Sequence, residues 1–308
     1  MMTSSLTNIT SGMQRARELV AVLCYLGSSL LSRRLSNAVR RWFIRDIIRY
    51  SRRAYPPTST KTVLQIPGDA ILKIGGAHIA REEESMRFVS RHTSVHVPRV
   101  LDGWLESEDK GFLVIERLPG QTLRSAWRGL TSPQRAHIAR QLKDCTDQLR
   151  GLTPLQPEAV SSLHGGAFKE DRLEYEDIGP FATEGVYHDW RVSLASTMST
   201  GQPETLERIH AIRAALRDDH GIVFTHGDLN PSNILVSIAG EDSEAARVTG
   251  VIDWEMSGWR PAYWEYVKCM HGMGGKAEWK EFVEAIVPAY PEEHRLDDEL
   301  QQITGEPL

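Results

Sequence analysis

"FTHGDLNPSNILV", residues 224–236, breaks a hydrophobic run with His226, Asp228, Asn230 and Asn233 and then resumes as Ile-Leu-Val. Asp228 and Asn233 have four residues between them, and Pro231 stiffens that span. The stretch reads either as a polar Asx turn between two strands or as a loop that converges on a metal and a phosphate. A third residue separates these readings. Asp253 lies 25 residues beyond Asp228, at the end of the strand-like "VTGVIDW" (248–254). Two carboxylates and an amide oxygen are hard oxygen donors, the set Mg²⁺ takes together with nucleotide phosphates. Phosphoryl transfer needs positioning and charge neutralisation, so one base and two metal ligands account for all three residues. A simple turn leaves Asp253 unexplained.

The rest of the 308-residue chain suits a soluble globular protein, with 41% hydrophobic and 25% charged residues. A net charge of −5 argues against a general nucleic-acid binder. The charge is unevenly spread: from Arg15 to Arg53 there are ten Arg against Glu18 and Asp46, about +8, leaving about −13 elsewhere. Cys24, Cys145 and Cys269 are odd in number and far apart, with neither disulfide nor zinc spacing. A reducing, cytoplasmic location is expected. The apolar run 19–31 is shorter than the roughly 20 residues that span a bilayer. Residues 15–53 are read as amphipathic helices packed on the main body; membrane-surface contact or organelle targeting through this segment stays open.

"YPPTST" (55–60) punctuates the chain and separates a basic helical extension (1–56) from the main body. Short strand-like runs at 62–66 and 70–74 flank Pro-Gly-Asp and predict a hairpin. A helix is expected over 81–92, then strands over 97–107 and 111–118. Residues 57–118 thus form a small α+β lobe. From 119 to 308 the pattern is mainly helical: a helix from Ser132 as N-cap to Gly151, another over 204–219, and short strands at 222–224, 234–236 and 248–254. Residues 153–200 mix loop and helix.

H-G-D-x-x-x-x-N with I-D-W downstream resembles the catalytic loop and metal-binding strand of the aminoglycoside phosphotransferase and choline kinase group, within the protein-kinase-like superfamily. The resemblance covers roughly 58–300. It implies a bilobal α+β fold, with a small antiparallel N-lobe containing one helix and a larger helical C-lobe. It implies a transferase moving the γ-phosphoryl group of ATP, or GTP, to a hydroxyl of a small molecule. Carried over residue by residue, Asp228 is the base, Asn233 and Asp253 hold Mg²⁺, and His226 braces the loop. Lys73 and Ile71 share one strand face; in the resemblance Lys73 grips the nucleotide phosphates and Ile71 roofs the base. The partner of Lys73 would be a helix glutamate, for which Glu82 fits better than its neighbours Glu83 and Glu84. "VIERLPGQTL" (114–123) resembles the hinge, where backbone at Glu116 to Leu118 bonds the adenine edge and Gly120 turns the chain.

One departure concerns the phosphates: "QIPGDA" (65–70) has a single glycine where protein kinases carry a glycine-rich loop. Only seven residues lie between Asp253 and Pro261, too few for a peptide-docking segment. This favours a small acceptor over a protein kinase. An inactive binding module of the same fold is the alternative, although the base, lysine and metal ligands are all present. Trp259, Trp264 and Tyr266 read as packing aromatics. Glu174, Glu176, Asp177, Glu184 and Glu255 are the acids that could line a cationic acceptor pocket. The acceptor and the oligomeric state are not legible.

Overall fold

The computed structural model describes residues 37–56, 60–170, 177–199, 201–274 and 276–304. The apolar run 19–31, the remainder of the 15–36 segment, the Pro57 boundary and the acids Glu174 and Glu176 lie outside them. The chain divides into two compact units: residues up to Glu83 together with Pro98–Arg117, and Glu84–Val97 together with Leu118–Leu308.

In the first unit, helix α1 (Asn37–Ala54) precedes β1 (Val63–Ile66) and β2 (Ala70–Gly75); α2 (His78–His92) follows, its residues from Glu84 on belonging to the second unit, and then come β3 (Val100–Ser107) and β4 (Lys110–Glu116). The four strands form one antiparallel sheet in the order β1-β2-β4-β3. Pro67-Gly68-Asp69 closes the first hairpin, with Gly68 at φ 86°, a conformation glycine adopts at little cost. Alternation along β2 puts Ala70 and Leu72 on one face, where they join Leu64, Ile66, Phe112 and Val114 in a buried cluster.

Helix α1 completes that cluster. Ile44 and Ile47, three apart, are 2% and 1% exposed and pack into it, with Ile48 beside them. The opposite side of α1 exposes Arg41, Arg45, Arg49, Arg52 and Arg53. The basic extension is therefore partly core: its apolar stripe covers the sheet and its charges face outward. On α2, Ile79, Glu82, Met86 and Val89 form one buried stripe at helical spacing, so the helix starts three residues before the predicted Arg81.

The second unit carries β5 (Gln121–Thr122), α3 (Leu123–Ala126), α4 (Ser132–Arg150), α5 (Glu184–Met198), α6 (Pro203–Ala215), β6 (Ile222–Thr225), β7 (Ile234–Ile238), β8 (Ala246–Val251), β9 (Gly258–Pro261), α7 (Trp264–Met270), α8 (Ala277–Ile286) and α9 (Pro291–Thr304). Helix α4 is capped by Thr131, not by the predicted Ser132. Thr131 and Gln134 form a reciprocal capping box, with Pro133 in the first turn. α4 packs along α8, and α5, α6 and α9 enclose a second cluster around Ala195, Ile209 and Leu300. The segment 153–183 contains isolated bridges, Val160 to Phe181 and Phe168 to Ile178. The architecture is a mixed fold, an antiparallel-sheet N-terminal part and a mainly helical C-terminal part. Among the described residues no helix is long and apolar enough to cross a membrane.

Candidate active site

Two short ladders hold the loops that carry the sequence motifs. β6 leads into His226 and β7 leads away from Asn233; β8 delivers the chain to Ile252 and β9 takes it on from Ser257. Thr225 lies opposite Gly258 and Ile234 opposite Val251. The loops 226–233 and 252–257 are thereby tied to each other at both ends. The Ile252 N–H adds one more bond, to the Asn233 carbonyl at 2.9 Å.

Inside the first loop the Asx chemistry and the placing of a carboxylate coexist. Ser232 N–H donates to Asn230 Oδ1 at 2.8 Å, a local side-chain turn. Asn230 Nδ2 donates to Asp228 Oδ1 at 3.0 Å and Asn233 Nδ2 to Asp228 Oδ2 at 2.7 Å. Asn233 Nδ2 also reaches the Asp228 carbonyl at 2.9 Å. With both amide hydrogens used there, the Asn233 side chain has only its oxygen to offer another group. Burial raises the Asp228 carboxyl to about 6; the negative charge of Asp253 pushes the same way, against the two amides and the Lys268 charge.

His226 is fully buried. Its Nδ1 accepts the Asp228 N–H at 3.2 Å and its Nε2 bonds the Ile252 carbonyl at 3.0 Å. One nitrogen accepting and the other donating defines a neutral imidazole protonated at Nε2. The ring edge packs on Trp254, with centroids 4.6 Å apart. This side chain links the two loops.

Helix α7 fastens the loop from below. The buried Glu265 carboxylate accepts the His226 N–H at 2.6 Å and the Gly227 N–H at 3.2 Å. Burial raises its pKa, while the bonded His226 and Gly227 N–H groups oppose the rise. Gly227 sits at φ 78°, and a Cβ there would meet the Met256 carbonyl at 2.6 Å. Glycine is needed on both counts. One turn on, Cys269 Sγ lies 3.2 Å from the Leu229 carbonyl, to which the thiol donates. Arg124 adds Nε to Ser232 Oγ at 2.6 Å and its backbone N–H to the Pro231 carbonyl at 2.8 Å.

Asp253 lies two residues past β8, half-buried, at φ 70°. A positive φ is uncommon outside Gly, although Asp and Asn adopt it more readily than other residues. The chain then turns tightly, Ser257 N–H to the Trp254 carbonyl at 3.2 Å, and enters β9. Trp254, Trp259, Trp264 and Tyr266 are all buried, as packing aromatics should be.

In the first unit, Lys73 Nζ meets Glu82 Oε1 at 2.6 Å, with Glu82 1% and Lys73 15% exposed. Glu83 lies over Gly103, where a Cβ would fall 2.0 Å from its carboxylate, and Glu84 is 3.6 Å from His164. Ile71 shares the Lys73 face of β2. Glu116 ends β4, 3.7 Å from Arg99. Leu118 opens the next stretch of the second unit, and Gly120 turns at φ 108°.

Two of the five acids named for an acceptor pocket have other engagements. Glu184 is buried and accepts the His220 N–H at 2.9 Å and bonds its Nδ1 at 2.8 Å; Glu255 pairs with Lys169 at 2.6 Å. Sequence reasoning missed Glu265 and the buried Lys268–Glu170 pair, 2.7 Å apart. Their signal was a glutamate and a lysine three apart inside the aromatic run "WEYVKCM", where a buried charge requires a partner.

The sequence matches the phosphotransferase enzyme family over residues 58–298. No curated protein matches it significantly. Among solved structures it is similar to an aminoglycoside-3'-phosphotransferase of type VIII (18% identity, 84% of this chain and 98% of that one, TM-score 0.52). It is also similar to the GDP complex of wild-type aminoglycoside 2'-phosphotransferase-IIIa (14%, 85% and 86%, TM-score 0.54). At these identities the likeness concerns the fold. The match covers most of the chain, and the protein belongs to the phosphotransferase enzyme family. By family it is a phosphotransferase.

Proposed function

We propose that the protein transfers the γ-phosphoryl group of ATP or GTP to a hydroxyl of a small molecule, with Asp228 as the base. The observation that carries this reading is the Asp228 carboxylate itself. It is held by two amide N–H groups, raised to about 6, and set on a loop whose ends are locked by two ladders. A base titrating near the working pH balances availability against proton affinity. Oriented in this way, Asp228 takes the acceptor's proton as the hydroxyl oxygen attacks phosphorus.

The donors Asn233 Oδ1 and the Asp253 carboxylate fit Mg²⁺: both are hard oxygens, and the Asp253 charge already perturbs the neighbouring Asp228 carboxyl. When bound, the ion supplies neutralisation of phosphate charge. Lys73, oriented by Glu82, holds nucleotide phosphates, and Ile71 and the backbone from Glu116 to Leu118 hold the base. Known structures of this fold contain GDP, and one holds GDP with kanamycin, which supports a nucleotide donor and a hydroxyl-bearing small acceptor. The direct turn from Asp253 into β9 supports a small acceptor as well, since it supplies no chain for docking a peptide. Glu184 and Glu255, committed to His220 and Lys169, do not mark a cationic acceptor pocket.

The test is Asp253→Ala. Circular dichroism should stay unchanged while Mg²⁺-dependent nucleotide binding and transfer are both lost. Full transfer by the folded variant contradicts the assignment of the metal ligands.

A further inference from the structure

Away from this loop, α9 presents His294 and Asp298, one turn apart, to His271 in the short turn that succeeds α7. His271 Nε2 lies 3.7 Å from Asp298 Oδ1, and His294 Nε2 lies 3.5 Å from Asp298 Oδ2. The ligating atoms of the three side chains all fall within 4.8 Å of one another. These separations exceed the roughly 2.7–3.2 Å of N–H···O bonds. They come close to those of atoms sharing an ion: ligands about 2.0–2.1 Å from one metal at tetrahedral angles lie about 3.3–3.5 Å apart.

A second observation points the same way. His271 Nε2 and Asp298 Oδ1 are both shut off from solvent and make no hydrogen bond. Buried polar atoms in folded proteins normally have a partner. Next to them Asp297 is fixed by Arg191 and Gln301 and stands 3.8 Å from His271 Nε2, where its charge favours a cation.

We infer that His271, His294 and Asp298 form a binding site for a divalent transition-metal ion, with zinc the best match. Two imidazole nitrogens and one carboxylate oxygen suit zinc and its neighbours, whereas the all-oxygen donors Asn233 and Asp253 suit magnesium. Three protein ligands leave a fourth position for water. Because His271 directly succeeds α7, the helix that carries Glu265, the ion would tie α9 to the element that braces the catalytic loop. The competing account is a metal-free cluster, two histidines flanking Asp298.

The experiment uses the full chain, stripped with chelator and titrated with zinc by equilibrium dialysis, alongside His294→Gln and His271→Ala. Wild type should bind one equivalent more than either variant, and zinc should raise its melting temperature more than theirs. Cobalt should give wild type visible d–d bands of four-coordinate, nitrogen-containing ligation, absent from both variants. Circular dichroism confirms that each is folded, and the milder His294→Gln serves if His271→Ala is not. Equal zinc stoichiometry in wild type and folded His294→Gln, or no zinc binding at all, overturns the site in favour of the metal-free cluster.

Discussion

Glu265 on α7 accepts the His226 backbone N–H at 2.6 Å, so a buried carboxylate that touches none of the proposed reacting atoms sets the start of the catalytic loop. The same carboxylate takes the Gly227 N–H. In Glu265→Gln the side chain keeps its shape but has one accepting oxygen for two donors. One buried N–H is left unsatisfied, at a cost of roughly 1–3 kcal/mol. The turnover number is expected to fall by about 10- to 100-fold through loss of positioning. Nucleotide affinity should hold within about twofold, since nucleotide binding is assigned to other side chains. Steady-state kinetics and a calorimetric nucleotide titration check this. Wild-type turnover in the variant would remove Glu265 from the positioning role.

With Asp228 as the proposed base, its carboxyl should set the pH profile. Burial and the charge of Asp253 raise its carboxyl to about 6. Only the ionised form can take a proton, so activity is present above that pH and lost below it. Plotted on logarithmic axes, kcat/KM should fall with unit slope on the acid side, about tenfold per pH unit, bending near pH 6. Mg²⁺ neutralising the Asp253 charge would move the bend to lower pH; a profile with no acid-side fall would remove Asp228 from the role of base.

Helix α1 is expected to be structural. Ile47 is 1% exposed against the first unit's sheet, and truncating a buried isoleucine costs about 2–5 kcal/mol. Ile47→Ala should therefore lower the melting temperature clearly, whereas an exposed-face change such as Arg45→Ala should not. Equal melting temperatures for Ile47→Ala and wild type would mean that α1 leaves the sheet face in solution.

Much of the 226–233 loop was legible because its spacing is local. Asp228 and Asn233 are five positions apart and Pro231 lies between them, so a single turn has to contain them. The strands on each side were legible as hydrophobic runs. Helix ends were less so. Thr131, Ser132 and Pro133 all suit an N-terminus, and the choice fell to Gln134, whose side chain closes the box on Thr131. Residues 153–170 and 177–183 carry little periodicity, because their geometry comes from distant bridges such as Ser161 to Trp259. The partners of Glu265 and Lys268 were hidden for the same reason: they lie far away in sequence, at His226 and Glu170. The stripe on α1 could be read from its sequence, but not the sheet face that it covers.

The most direct measurement is labelled γ-phosphoryl transfer from ATP and from GTP, with Mg²⁺. Hydroxylated metabolites and aminoglycosides are run beside a peptide array, for wild type and Asp228→Asn. The amide nearly matches the carboxylate in shape but cannot take a proton, so nucleotide binding should be retained while transfer falls by about 10²- to 10⁴-fold. The account expects wild type to label a small molecule and Asp228→Asn to fail on that same molecule. Equal transfer by the two proteins, or Asp228-dependent labelling confined to peptides, would contradict it.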